Sequence, residues 1–342
     1  LNMHDAYVPQ MTGNNMPVAL SDVLSCDGKN IWMRSQKFDF EGKRHEIALQ
    51  DVNVQPADDA HLFCQIGFLD DSYFFRSYWS FGRRVTGGYG YWLRAGRLVP
   101  SGRILCFDDE RVYGFGRKPE YMTNASVLEY EFFSADKTVS PEAISRVNGK
   151  ANTREARQAA NTSDWRARSF FPREALSANT YAWTVDQPAV IARAMALAGE
   201  SVFFAGPPSL INERRAFHRP DDPVVLSRLE RQADAFDGRS GGQLWVISKT
   251  DGSRLARYSL DSPPAFDGMI AAAGRLFTTT VDGHVLCLSN EGDTALATIE
   301  DQPVSSAWDQ PEDPNFGQKE GPPKTRSTPK NGKKRKKRAA GK

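Results

Sequence analysis

The side chains most often used in metal binding and acid–base catalysis are scattered in this chain. None of its five histidines lies two or four residues from another, and none is in an HExxH motif. They are His4, His45, His61, His218 and His284. Adjacent acids such as Asp108 and Asp109 would point to opposite faces of a strand, which favours turn residues over a catalytic pair. The sequence therefore predicts no metal site and no catalytic residue.

One segment is rich in side chains that recognise partners. Residues 67–83 contain seven aromatic residues and two arginines. Trp, Tyr and Arg provide a large contact area at low entropic cost and are enriched at binding hot spots. Packing between strands is the alternative use of the same residues. If they form a recognition surface, we expect it to bind protein or carbohydrate through Arg76, Trp79, Tyr89, Trp92 and Arg117.

Charge is divided unevenly along the chain. Ten of its 44 basic residues and one of its 42 acidic residues lie in 320–342, which leaves 34 basic and 41 acidic residues before that segment. An acidic body binds nucleic acid poorly, because such binding depends on Lys and Arg neutralising phosphates. Polyanion contact is therefore expected only through the tail, at Lys333–Arg338. Nucleic acid, an anionic membrane, cell wall or ribosome would all fit this motif.

The four cysteines, Cys26, Cys64, Cys106 and Cys287, are far apart and form no CxxC motif. We expect buried free thiols, with one long-range disulfide as the alternative. No apolar run is long enough to predict a membrane span. The sequence begins at Leu1 with no apolar leader, which leaves open a removed signal peptide or a longer N-terminal part.

A short pattern of a polar turn followed by an apolar residue and an aromatic recurs along the chain. The four copies are Asp27–Asn30 before Ile31–Met33, Asp108–Arg111 before Val112–Phe115, Gly199–Ser201 before Val202–Phe204, and Gly274–Arg275 before Leu276–Thr278. Asp70–Ser72 is a fifth candidate. When it is included, the first three copies along the chain follow one another at intervals of roughly 40 residues, which is the period of a four-stranded propeller blade.

The remaining patterns predict hairpins and few helices. The Asp-Gly pair in Val281–Leu288 predicts a hairpin turn. Residues 223–235 predict a helix with Asp222 as N-cap, and 152–160 predict a weaker one. We therefore predict an all-β β-propeller over 1–300, with insertions near 140–178 and 207–240. The polar, Pro- and Gly-rich segment 301–342 is predicted to be a disordered tail.

Two stretches resemble repeats of the pyrroloquinoline-quinone-type (quinoprotein-like) β-propeller family. In 241–255, Trp245 and Gly252 match the repeat, whereas Ser248 replaces its usual Asp and Ala256 its closing Trp. Residues 264–288 match better, through Asp267, Gly268, Asp282 and Gly283. The resemblance implies four-stranded blades with degenerate repeats, in which these residues serve turns and packing.

Enzymes of that family bind their quinone with Ca²⁺, a catalytic Asp and a disulfide between adjacent cysteines. This chain has no adjacent cysteines and no evident calcium-binding set, so no cofactor is expected. The prediction is a non-catalytic binding or scaffold module, complete or the C-terminal part of a longer propeller. The alternatives are a quinoprotein-type enzyme with quinone and Ca²⁺, a carbohydrate-active enzyme, and a nucleic-acid-associated protein acting through its tail. The resemblance favours an exported, periplasmic protein.

Overall fold

Seventeen short strands make up most of the regular structure in the described part of this protein. The computed structural model describes residues 24–33, 36–45, 60–64, 79–82, 96–121, 130–148, 158–159, 165–292 and 294–300. Within them the strands form five antiparallel sheets, in which strands that are neighbours in sequence pair with each other. The predicted β class is confirmed at this level.

The five sheets follow one another along the chain. Sheet 1 contains β1 (Leu24–Cys26), β2 (Ile31–Met33) and β3 (Gln36–Phe38). Sheet 2 contains β4 (His61–Cys64), β5 (Trp79–Gly82) and β6 (Ser101–Gly102). Sheet 3 contains β7 (Ile104–Phe107), β8 (Arg111–Arg117), β9 (Tyr130–Asp136) and β10 (Tyr181–Asp186). Sheet 4 contains β11 (Ala194–Ala198), β12 (Ser201–Gly206), β13 (Gly242–Ser248) and β14 (Arg254–Leu260). Sheet 5 contains β15 (Pro264–Ala272), β16 (Arg275–Thr280) and β17 (Val285–Leu288).

The helices lie in the two intervals expected to be insertions. They are α1 (Pro141–Val147), α2 (Trp165–Arg168), α3 (Arg173–Leu176), α4 (Glu213–His218) and α5 (Pro223–Phe236), with a 3-10 helix at Pro119–Tyr121. The predicted helix at 223–235 is confirmed as α5, and the carboxylate of its N-cap Asp222 accepts a hydrogen bond from Val224 N at 2.8 Å. Of the segment 152–160, only residues 158–159 are described.

The four copies of the sequence repeat occupy the same place in four sheets. Each is the turn between the first and second strands, namely β1/β2, β7/β8, β11/β12 and β15/β16. The likeness extends to single bonds. Asp27 Oδ2 accepts from the indole of Trp32 at 3.1 Å, and Asp108 Oδ2 accepts from the hydroxyl of Tyr113 at 3.1 Å, five residues on in both cases. The fifth candidate, Asp70–Ser72, lies outside the described residues.

Successive sheets pack face to face in chain order. Between sheets 1 and 2, Trp32 stacks on His61 with ring centroids 3.8 Å apart. The next three contacts are apolar, because alternate residues of each strand point to opposite neighbours. They contain Phe81, Leu105 and Phe133 (sheets 2 and 3), Phe132, Phe204 and Trp245 (sheets 3 and 4), and Ala196, Leu244 and Met269 (sheets 4 and 5). The first strands β7, β11 and β15 contact one another in turn.

The cysteine prediction is wrong in part. Cys26, Cys106 and Cys287 are free thiols, as expected, but Cys26 and Cys287 are exposed, because they lie on the outer faces of the first and last described sheets. The predicted tail 301–342 lies outside the described residues. Among the described helices, none has both the length and the apolar character needed to cross a bilayer.

Candidate functional site

The structure describes two of the five residues predicted to form a recognition surface. Trp79, in β5, is buried between sheets 2 and 3. Arg117, at the end of β8, is also buried, and its Nη1 donates to the carbonyl of Tyr121 at 3.2 Å. Both side chains therefore contribute to packing here. Arg76, Tyr89 and Trp92 lie outside the described residues.

The residues that match the propeller repeat occupy turns and contacts between sheets. Trp245 is buried between sheets 3 and 4, and Gly252 lies in the β13/β14 turn with φ +73°. Asp282 and Gly283 form the β16/β17 turn. Asp267 and Gly268 do not form a hairpin turn. They lie within β15 where its pairing with β16 shifts register, and Asp267 has φ +56°.

Trp183 makes a contact between sheets that the sequence did not reveal. Its indole lies against Gly252, and its Nε1 donates to the carbonyl of Lys249 at 2.9 Å. The Lys249 ammonium in turn lies 3.6 Å from Asp108 and 3.4 Å from Glu200. One turn of sheet 4 is thus tied both to the last strand and to the first hairpin of sheet 3.

Two arginines occupy the same position at the start of successive sheets, and an aspartate follows at the start of the next sheet. Arg103 N donates to the carbonyl of Phe115 at 2.9 Å, and Arg193 N donates to that of Ala205 at 2.8 Å. In both sheets the acceptor is the residue that pairs with the beginning of the first strand. Asp267 lies two residues before Met269 in sheet 5, where the pairing of β15 with β16 shifts register. We call Arg103, Arg193 and Asp267 the inner rim.

The inner rim is continuous from sheet to sheet. The first strands that carry it are in contact, and Asp267 N donates to the carbonyl of Arg193 at 2.8 Å. Strand order alone therefore brings the three positions together. The sequence repeat could have revealed this set, because its members are 90 and 74 residues apart, as are Val112, Val202 and Leu276 of three repeat copies. Their environment depends on pairing register.

Aromatic rings and a helix end hold the two arginines in place. The Arg103 guanidinium lies 5.9 Å from the centroid of the Tyr130 ring, and its Nη1 is 3.4 Å from the Tyr130 hydroxyl. The Arg193 guanidinium lies 5.7 Å from the Phe236 ring, and its Nη2 donates to the Phe236 carbonyl at 2.9 Å. That carbonyl is at the C-terminal end of α5, where cations are favoured.

The two guanidiniums interact electrostatically. Burial lowers the pKa of Arg193, and the positive charge of Arg103 lowers it further, against the opposing effect of Asp237. Both arginines are half-buried, whereas Asp267 is exposed. Two cations on neighbouring strands favour a carboxylate, phosphate or sulfate between them, and Arg binds such groups through two parallel hydrogen bonds. The adjacent Asp267 can accept hydrogen bonds from a hydroxyl or ammonium group.

A second charged cluster is buried and structural. The carboxylate of Glu131, in β9, accepts two hydrogen bonds from Arg173 of α3, at 2.6 and 2.7 Å. Burial raises the pKa of Glu131 to about 7 despite the opposing effect of Arg173. The Arg173 guanidinium also lies 4.7 Å from the Tyr181 ring. Because Glu131 is completely buried, this pair fastens the helical insertion to sheet 3 and is out of reach of a ligand.

Within the described part of the chain, no group of three or more His, Cys, Asp or Glu side chains is arranged to hold a metal ion. No family model matches the chain, and no curated protein is significantly similar to it.

Proposed function

We propose that this chain is a non-catalytic, propeller-type binding module that holds an acidic group of a protein or carbohydrate partner at its inner rim. The observation that carries the proposal is the placement of Arg103 and Arg193 at one equivalent position in adjacent sheets. Burial lowers the pKa of Arg193 and the charge of Arg103 lowers it further, so the two cations repel each other. A ligand carboxylate or sulfate would offset that repulsion, which gives the pair a reason to bind an anion.

The arrangement of the sheets supports the propeller-type assignment. Strands pair in chain order, first strands lie side by side, and neighbouring sheets share apolar faces. Blades of a propeller follow the same rules. The Trp183–Gly252 contact also fits the resemblance to quinoprotein-like repeats, in which an aromatic residue packs between blades.

The use of the described carboxylates favours binding over catalysis. Asp27 accepts hydrogen bonds from the backbone N atoms of Lys29 and Asn30, and Asp108 has the same role in its own turn. Glu131 is occupied by Arg173. These carboxylates are thus engaged in turns and packing, and the half-buried arginines of the inner rim are the groups that we assign to recognition.

A ligand screen on the full chain tests this function. The purified protein would be applied to an array of neutral, uronic-acid and sulfated glycans and titrated calorimetrically with glutamate-rich peptides. We expect binding to acidic ligands, weakened about 10- to 100-fold by either Arg103→Gln or Arg193→Gln, since each lost charged hydrogen bond costs about 1.5–3 kcal/mol. Arg275→Gln, at an exposed arginine outside the rim, should leave binding unchanged.

Two results would reject the proposal. Equal binding by the rim variants and the wild-type chain would remove the rim from recognition, provided that circular dichroism shows both to be folded. Dye-linked dehydrogenase activity with added quinone and Ca²⁺ would show that the chain is an enzyme of the alternative class.

The segregated charge of residues 320–342 supports a second candidate, contact with a polyanion. Binding to double-stranded DNA through Lys333–Arg338 should fall steeply as salt concentration rises. Deletion of 320–342 should abolish it. DNA binding that persists after this deletion would reject the tail as the binding element.

A further inference from the structure

The described sheets form a row with two uncovered ends. In sheets 3, 4 and 5, one position of the first strand points to the preceding sheet. It holds Leu105, Met195 and Met269, all of them buried. The corresponding residue of sheet 1 is Leu24, three residues before the turn aspartate in the same way as Leu105, and Leu24 is 57% exposed. The outer face of sheet 1 is therefore uncovered at Leu24.

Sheet 5 has the opposite uncovered face. Its inner face, with Met269 and Leu276, packs on sheet 4. Strand pairing places Ile270, Phe277 and Cys287 in one row on the other face, with Val285 in the next row. Ile270 is 63% and Val285 69% exposed. We call this side the sheet 5 face.

The outer face of sheet 1 is mostly apolar. Strand pairing places Cys26, Ile31 and Phe38 in one row, with Leu24, Met33 and the buried Gln36 in the next. Ile31, Met33 and Phe38 are half-buried and Cys26 is exposed. We call this side the sheet 1 face. A contiguous apolar patch that is left exposed often marks an interaction site.

The two faces correspond to the two sides of the contact that neighbouring sheets of this molecule already make with each other. Where sheets 3 and 4 pack, and where sheets 4 and 5 pack, the earlier sheet contributes the face that points to the next sheet and the later sheet contributes the face that points to the previous one. The sheet 5 face points in the direction of a next sheet. The sheet 1 face points in the direction of a previous sheet. The exposure of Leu24, Ile270 and Val285 shows that these residues do not cover each other within one chain.

We propose that the sheet 5 face of one molecule packs on the sheet 1 face of a second copy, continuing the row of sheets from chain to chain. The two faces differ, so the contact is head-to-tail. Such contacts produce closed rings or open chains of subunits, in contrast to the paired symmetry of a self-complementary patch. This self-association is independent of ligand binding at the inner rim.

Sedimentation velocity on the full chain over a range of concentrations tests the proposal. The wild-type protein should self-associate. Leu24→Asp blocks the sheet 1 face and Ile270→Asp blocks the sheet 5 face, each by putting a charge into an apolar contact, and each should weaken association at least about 100-fold. Thr250→Asp, in an exposed turn away from both faces, is the matched control and should behave as wild type.

Mixing the variants distinguishes a head-to-tail contact from other modes. A Leu24→Asp molecule keeps its sheet 5 face, and an Ile270→Asp molecule keeps its sheet 1 face. Each alone should be monomeric, and the equimolar mixture should form dimers and nothing larger. Dimers of Leu24→Asp alone would indicate contact between two sheet 5 faces and would overturn the proposal. A wild-type chain that stays monomeric at all concentrations would also overturn it.

The exposed cysteines provide an independent readout, because Cys26 lies on one face and Cys287 on the other. A short thiol-specific cross-linker should yield a dimer joined between Cys26 and Cys287, as identified by mass spectrometry of its peptides. Either Cys26→Ser or Cys287→Ser should abolish that dimer. A Cys26–Cys287 link at the mass of one chain would show closure within a single molecule and would refute contact between copies.

Discussion

Replacing Gly252 with alanine should destabilise the protein through one identifiable contact. Gly252 has φ +73°, and a Cβ there would lie 2.7 Å from Cδ2 and Cε3 of Trp183. The positive φ alone costs about 1 kcal/mol for a residue with a Cβ. Displacing the indole adds about 1–3 kcal/mol, as in other overpacked cores. The expected loss of unfolding free energy is therefore about 2–4 kcal/mol.

A matched glycine separates the two contributions. Gly283 has φ +88°, and a Cβ there would meet no atom within 4 Å. Gly283→Ala should therefore cost only the backbone contribution of about 1 kcal/mol. Urea unfolding of the full chain, followed by far-ultraviolet circular dichroism, measures both variants under the same conditions.

A double-mutant cycle then tests the partner. In a Trp183→Ala background the space beside Gly252 is open, so Gly252→Ala should cost only about 1 kcal/mol there. Equal costs for Gly252→Ala and Gly283→Ala would refute the stacking of Trp183 on this turn. An unchanged cost of Gly252→Ala in the Trp183→Ala background would refute it as well.

Three further changes test other contacts by urea unfolding. Arg173→Met should cost about 3 kcal/mol at pH 8, because it leaves Glu131 buried without its partner. The cost should shrink at pH 5, since a carboxyl whose folded pKa is raised stabilises the fold at low pH and loses that contribution as pH rises through the folded value. Asp27→Ala should cost up to about 1 kcal/mol. Partial burial opposes the shift, but the hydrogen bonds in its turn lower the pKa of Asp27 to about 2, so this cost should disappear as pH falls from 4 towards 2. Ala273→Gly should raise stability by about 0.5–1 kcal/mol, because Ala273 has φ +51° in its two-residue turn; an unchanged midpoint would contradict that strain.

The local features were predictable from sequence. The turn aspartates, the Asp-Gly pair at Asp282 and the cap of α5 at Asp222 act within a few residues of their own position. Such short-range patterns are predictive because the residues that cause the structure lie within the pattern itself. The strand-rich class and the position of the first hairpins followed from the same signals.

Features that depend on register between distant strands were not predictable. Arg103 and Arg193 have the 90-residue spacing of the repeat copies at Val112 and Val202, but their surroundings depend on the pairing of four strands. Arg117 was singled out as a binding residue, but its place at the end of β8 buries it. Cys26 and Cys287 looked like core thiols, because an apolar strand does not reveal whether another sheet covers its outer face.

The long connection between β9 and β10 affects the order in which the chain folds. β9 and β10 are neighbours in sheet 3, yet roughly 45 residues with three helices separate them, whereas a two-residue turn connects β11 to β12. Closing a long loop costs more entropy than closing a tight turn. We therefore expect the hairpins of sheets 4 and 5 to form early. The junction between sheets 3 and 4 should form late, because Trp183 arrives there only when the helical insertion has brought β10 into place.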